Sequence, residues 1–196
     1  LIDTSCKTII CGMSFESTQL FDFINLKFTT KMKASTMTNT ICIHETHVLC
    51  GGKNDIKIYD KSNGKIVSKI KHKCVTGDDN VYSVIVCNNS YIHNHSPIIL
   101  SSSNDNIINM WDFKTGKNIG NLNNPKQHPR STLLNITNNS GPTELLVLYN
   151  AINDYGIDII DIATNKYIRT LEGHTAKITC VQASNNGQLL ISSSRD

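Results

Sequence analysis

Residues 107–123, IINMWDFKTGKNIGNLN, decide the fold. Ile108 and Met110 alternate with polar Asn109 and lead into Trp111, the period-two pattern of a strand with one buried face. Thr115-Gly116 then supplies small, turn-tolerant residues, and a second strand-like run follows from Lys117 to Leu122. The stretch is a β-hairpin with an aspartate, Asp112, directly after its tryptophan.

The same frame recurs without a gap in DIKIYDKSNGKIVSKIK (residues 55–71) and GIDIIDIATNKYIRTLE (156–172). It recurs more loosely in STQLFDFINLKFTTKMK (17–33). In each, an aspartate follows an apolar residue: Asp22, Asp60, Asp112 and Asp161, spaced 38, 52 and 49 residues apart. That is an internal repeat with insertions. Two further strand-like runs precede each hairpin. Val81 to Cys87 and Pro97 to Ser102 come before Trp111; Leu133 to Ile136 and Glu144 to Tyr149 come before Ile160. Four short strands per repeat with no intervening helix is the plan of a propeller blade.

These residues resemble the WD-repeat family. The strongest matches are Ser101-Ser-Ser-Asn-Asp105 leading into Met110-Trp111-Asp112, and Leu171-Glu-Gly-His174 leading into Ile178-Thr-Cys-Val181. The second match runs on to Leu190-Ile-Ser-Ser-Ser-Arg-Asp196, where the family would continue into a Trp-Asp strand. The resemblance implies an all-β propeller of four-stranded antiparallel blades, with about seven blades in the parent. It divides this chain into a partial blade (1–33), three whole blades (34–73, 74–123, 124–172) and a second partial blade (173–196). Both ends are read as cuts, and the isolated stretch is expected to expose blade faces and strand edges and to aggregate.

In the family, a Gly-His histidine, a strand serine or threonine, a turn aspartate and the tryptophan form a hydrogen-bonded support network. Such a chain spares buried polar groups a cost of roughly 1–3 kcal/mol each. By resemblance the residues assigned to it are Trp111, Asp105, His174 and Asp196, together with the repeated Asp60, Asp112 and Asp161. The network is incomplete in every repeat: Asp78 stands near the histidine's place, and Phe21, Tyr59 and Ile160 replace the tryptophan. The chain reads as a divergent member.

Composition is ordinary for a globular protein, with 39% hydrophobic and 18% charged residues, and no apolar run is long enough for a membrane helix. A net charge of +3 implies neither nucleic acid nor anionic lipid as a partner. Seven cysteines without a C-x-x-C pair suit a reducing compartment, cytoplasm or nucleus, in which free thiols act as small hydrophobes.

Several clusters invite chemistry. Cys42, His44, His47 and Cys50 carry zinc-compatible side chains, yet fall on two strands and their turn, where the cysteines are natural core positions. His93 and His95 lie in an insertion without a partnering cysteine pair. No metal and no cofactor is expected. The basic run Lys65, Lys69, Lys71, His72, Lys73 reads as a solvated outer edge, since lysines there discourage edge pairing. Asn88, Asn94, Asn135 and Asn138 satisfy N-x-[ST] by chance in a chain rich in Asn and Ser. No phosphate-binding loop, dinucleotide fingerprint, nucleophile elbow or H-E-x-x-H occurs. Ser103-Asn-Asp105 begins like the Asp-box turn of hydrolytic propellers, but Ile107 occupies the glycine position.

By elimination and by resemblance, the expected work is non-catalytic binding of other proteins or peptides. The expected surface comprises loops 71–80, 123–130 and 172–175 with the turn residues Lys53, Asn106 and Tyr155. Lys126, His128 and Arg130, in a loop stiffened by Pro125 and Pro129, are the charged candidates. The alternative is a substrate-recognition arm for a larger enzyme, a kinase or ubiquitin-ligase component, whose catalytic or docking domain lies outside this stretch.

Overall fold

A computed structural model describes residues 8–12, 17–22, 25–33, 37–73, 77, 79–88, 96–122, 132–137, 144–149, 155–184 and 187–196. Among them every regular element is a strand, and the strands form antiparallel meanders. The first sheet contains β1 (Thr8–Gly12), β2 (Ser17–Asp22) and β3 (Lys27–Lys33). The second is four-stranded, with β4 (Thr38–His44), β5 (His47–Gly52), β6 (Asp55–Asp60) and β7 (Ile66–Lys71) in sequence order. The third repeats that order with β8 (Ser83–Cys87), β9 (Ile98–Ser102), β10 (Ile108–Asp112) and β11 (Asn118–Leu122). So does the fourth, with β12 (Thr132–Thr137), β13 (Glu144–Tyr149), β14 (Ile157–Asp161) and β15 (Lys166–Leu171). A two-stranded sheet, β16 (Ile178–Ala183) and β17 (Leu190–Ser194), follows. The all-β, four-stranded plan expected from the repeat is the plan observed.

The chain divides into two compact units, Leu1–Val84 and Ile85–Asp196. In the first, Leu20 and Met32 of one sheet bury against Val48, Cys50 and Tyr59 of the next. In the second, Ile98, Leu100, Ile108 and Leu122 of the third sheet meet Leu133, Leu146 and Ile160 of the fourth. A separate cluster joins Ile136, Val147 and Ile157 to Ile178 and Val181 of the two-stranded sheet. Sheets therefore stack face to face within each unit, which is how a sheet without covering helices removes its apolar face from water.

Burial is graded across each sheet. β9 is buried at every position and β5 at all but the first, whereas β7 and β15 are largely exposed. The middle strands read as continuous apolar runs because neighbours cover both of their faces. Gly51 on β5 shows how tight this is. A Cβ there would meet Thr40 Cγ2 at 2.6 Å and Val81 Cγ1 at 2.7 Å.

The cysteines divide. Cys50 and Cys87 are buried and Cys42 is half-buried, but Cys180 is exposed on β16. Burial pushes the Cys50 thiol up to about 11, against a smaller opposing effect of the Thr18 hydroxyl. It is therefore protonated and inert at neutral pH. Cys6 and Cys74 lie outside the described residues.

Candidate interaction site

Each sheet has two ends, and the repeated aspartates organise one of them. Asp60 Oδ1 accepts from the Ser62 N–H at 2.7 Å and from the Ser62 hydroxyl at 2.5 Å. Asp112 Oδ1 accepts from the Thr115 N–H at 2.6 Å and its hydroxyl at 2.5 Å. Asp161 Oδ1 accepts from the Thr164 N–H at 3.1 Å, and Asp22 Oδ1 from the Asn25 N–H at 3.0 Å. Four residues after each aspartate the backbone turns left-handed, at Leu26, Gly64, Gly116 and Asn165. Each hairpin also shifts register just before the aspartate, at Leu20/Phe21, Ile58/Tyr59, Met110/Trp111 and Ile159/Ile160. In the second sheet the turn takes four residues, 61–64. The Gly64 N–H donates to Asp60 O and the Asp60 N–H to Lys65 O. These aspartates make short-range turn contacts. The Ser62 hydroxyl and then its N–H hold the Asp60 carboxyl below the usual carboxylate range.

The remaining candidates for the support network fall into two groups, both in the second unit. Trp111 Nε1–H donates to Ser101 Oγ at 2.8 Å across the β9–β10 pair, and both residues are buried. Nearby, Asp105 accepts from the Ser103 hydroxyl and from the Ile107 N–H at 3.1 Å, shaping the turn that carries Asn106 at φ 65°. At the second group, His174 Nδ1 lies 3.1 Å from Asp196 Oδ2, and His174 Nε2 lies 2.8 Å from Ser192 Oγ. A carboxylate only accepts, so Nδ1 carries the proton, and a neutral ring then accepts the serine hydroxyl at Nε2. Asp196 Oδ2 also accepts from the Thr175 N–H at 2.6 Å. That N–H first, then His174 and Ser194, holds the Asp196 carboxyl below its ordinary range. Serine, histidine and aspartate here are ordered as in a hydrolase triad. In this chain they tie the 172–175 connection to β17. Asp78 lies outside the described residues.

The other end of the sheets carries the expected binding turns. In the first unit, Lys53, Asn54 and Asp55 line a cleft of about 400 Å³ with Lys69, Lys71, His72, Lys73 and Asp79. Backbone bonds fix its frame. The Asn54 N–H donates to Asp79 O at 2.8 Å, the His72 N–H to Asn54 O at 2.9 Å, and Lys53 bridges to Asn80. In the second unit, Tyr155, 43% exposed, lines a cleft of about 360 Å³ with Gly156, Thr170, Glu172, Gly173, His174 and Thr175. Taking Asp60 and Asp161 as equivalent, the two clefts occupy the same place in their repeats. The sequence reading set loop 71–80 beside Lys53 and loop 172–175 beside Tyr155; the share of the strand residues Asp55, Lys69 and Thr170 in the clefts was not legible there. Lys126, His128 and Arg130, and the histidines at 93 and 95, lie outside the described residues. His44 and His47 face each other across the β4–β5 turn, and no group of three or more metal-ligating side chains occurs among the described residues.

The model of the WD domain, G-beta repeat, matches residues 65–112 and 165–196. The chain is 32% identical over 105 residues to the U3 small nucleolar RNA-associated protein 21 homolog of Schizosaccharomyces pombe, covering 54% of this chain and 11% of that protein. It is 26% identical over 147 residues to autophagy-related protein 16 of Arabidopsis thaliana, covering 73% of this chain and 25% of that one. The chain therefore spans about a tenth and a quarter of these relatives. Its fold is similar to that of the computationally designed Ika8 protein, with a TM-score of 0.67 and 17% identity over 96% of this chain and 53% of the other.

Proposed function

Because this chain belongs to the WD-repeat family, we propose that it is a non-catalytic platform that binds other proteins or peptides through the turns at one end of its sheets. The observation that carries this reading is the repeated cleft. Two equivalent clefts, one in each unit, are walled by strand ends and by the connections that follow them on stacked sheets. A surface held in place before binding loses less conformational freedom when a partner docks. His174, Ser192 and Asp196 bond one another, and Asp196 also accepts from the Thr175 N–H, so the group ties the 172–175 connection to β17.

Asn106 and Tyr155 belong to this proposed surface, as do Lys126, His128 and Arg130. One relative is named for association with a small nucleolar RNA and the other for autophagy. Membership of a larger assembly fits both names, and the free thiols at Cys42, Cys50, Cys87 and Cys180 fit a cytoplasmic or nuclear setting. The test places a photo-cross-linking residue in the full-length protein at Asn106 or Tyr155, and at Ser62 or Thr115 on the opposite end. Partner cross-links concentrated at Asn106 and Tyr155 support the platform. Cross-links confined to Ser62 and Thr115, or absent at all four, overturn it.

A further inference from the structure

From the charge and frame of the cleft in the first unit we infer that it is a docking site for an acidic peptide segment, which rests on the platform reading above. Lys65, Lys69, Lys71 and Lys73 look in sequence like a solvated edge, but the structure separates their roles. Lys69 Nζ lies 2.8 Å from Asp55 Oδ2, and the buried Lys57 ammonium lies 3.9 Å from Asp55 Oδ1. Two ammonium groups thus flank the one buried carboxylate in the wall. Lys71 and Lys73 join Lys53, from a turn some 18 positions away, as exposed cations around a cleft of about 400 Å³. Asp79 is the other carboxylate among the described lining residues.

The repeat supplies an internal control. In the frame that equates Asp60 with Asp161, Lys69, Lys71 and Lys73 correspond to Thr170, Glu172 and His174. Asp112 marks the same frame in the third sheet, where they correspond to Asn121, Asn123 and Pro125. Blade geometry therefore does not require lysine at these positions. In the first sheet, where Asp22 marks the frame, Lys31 and Lys33 stand at the places of Lys69 and Lys71, so Lys53 and Lys73 are the lysines found in this repeat alone. The frame beneath them is rigid, since backbone bonds from Asn54 to Asp79 and from His72 to Asn54 hold the lysine-bearing segments together. Lysine ammonium groups on a fixed concave frame suit discrete carboxylates, spaced along an extended chain. Among the described lining residues there is no Phe, Tyr or Trp ring on which a base could stack.

The test uses the full-length protein and a fluorescein-labelled peptide of six glutamates spaced by serines, read by anisotropy. The comparison probes are its six-lysine counterpart, a twelve-nucleotide polyuridine, and vesicles containing phosphatidylserine. The expected result is binding of the acidic peptide that weakens about tenfold between 50 and 300 mM salt as charges are screened. Lys71→Glu with Lys73→Glu, or Lys53→Glu, weakens it by at least about tenfold, while Lys65→Glu on the same edge changes it less than about twofold. Thermal melts within a degree or two of the parent exclude misfolding, and Lys71→Gln with Lys73→Gln provides a milder second variant. Tighter binding of polyuridine or vesicles, or equal effects of Lys65→Glu and Lys71→Glu, overturns the inference. If Tyr155 cross-links form but the acidic peptide does not bind, the platform stands and this site fails. If neither occurs, both fail.

Discussion

Leu26 occupies the left-handed position that Gly64, Gly116 and Asn165 fill in the other hairpins. A branched side chain pays roughly 1–2 kcal/mol there, because its Cβ crowds the carbonyl oxygen. Leu26→Gly is expected to raise stability by about 1 kcal/mol, read as a higher denaturant midpoint. Gly64→Ala goes the other way and further, since the new Cβ would also lie 2.7 Å from Thr30 Cγ2 and 3.0 Å from Lys31 O. Trp111→Phe leaves the Ser101 hydroxyl in a buried site without its indole donor. A loss of about 1–3 kcal/mol is expected, smaller when Ser101→Ala is made as well, and a double-mutant cycle measures the difference. For Asp196 the folded carboxyl titrates below its unfolded value, so its stabilisation is full above the ordinary carboxylate pKa of about 3.9. That contribution disappears as pH falls through the lower folded value. Asp196→Asn should therefore lower stability at pH 6 and leave it nearly unchanged at the acid end, as followed by denaturant melts.

At the scale of the strand and hairpin, the repeat was plain in sequence because its signals are local. Alternating apolar residues, an aspartate and a left-handed residue four positions later act within one turn and need no distant partner. The register shift before each aspartate was not legible, since it depends on pairing between two strands. Exposure of the outer strands follows from the same plan. Ile66 and Val67 on β7, and Tyr167 and Ile168 on β15, are exposed, and Ile191 on β17 is 69% exposed. Backbone amides of β5 and β9, inside their sheets, should exchange with deuterium far more slowly than those of β7, β15 and β17. Comparable protection of inner and outer strands by mass-resolved exchange would contradict the burial gradient.

Across the molecule, the described thiols report on packing in both units. Iodoacetamide should modify Cys180 readily and reach Cys50 and Cys87 only on unfolding, with Cys42 between them. Rapid labelling of Cys50 in the folded protein would show that its surroundings are open. The modest net charge of +3 also hides an uneven distribution: lysines gather around the first unit's cleft, while Glu172 occupies the equivalent cleft of the second. Composition cannot show this, because it averages over positions that the fold places apart.

The sequence by itself determined the repeat, the all-β class and the place of each hairpin, because these are written in spacing and in residues that act on their own neighbours. Family resemblance assigned His174, Asp196, Trp111 and Asp105 to a support network without giving their partners. Tertiary structure decided that Trp111 meets Ser101, that His174 also meets Ser192, and that the repeated aspartates cap turns. It likewise decided that Lys53, Lys71 and Lys73 line one cleft. Such sites depend on strands folding back so that residues remote in sequence share a few ångströms. Only the packing of sheets within each unit specifies which ones do.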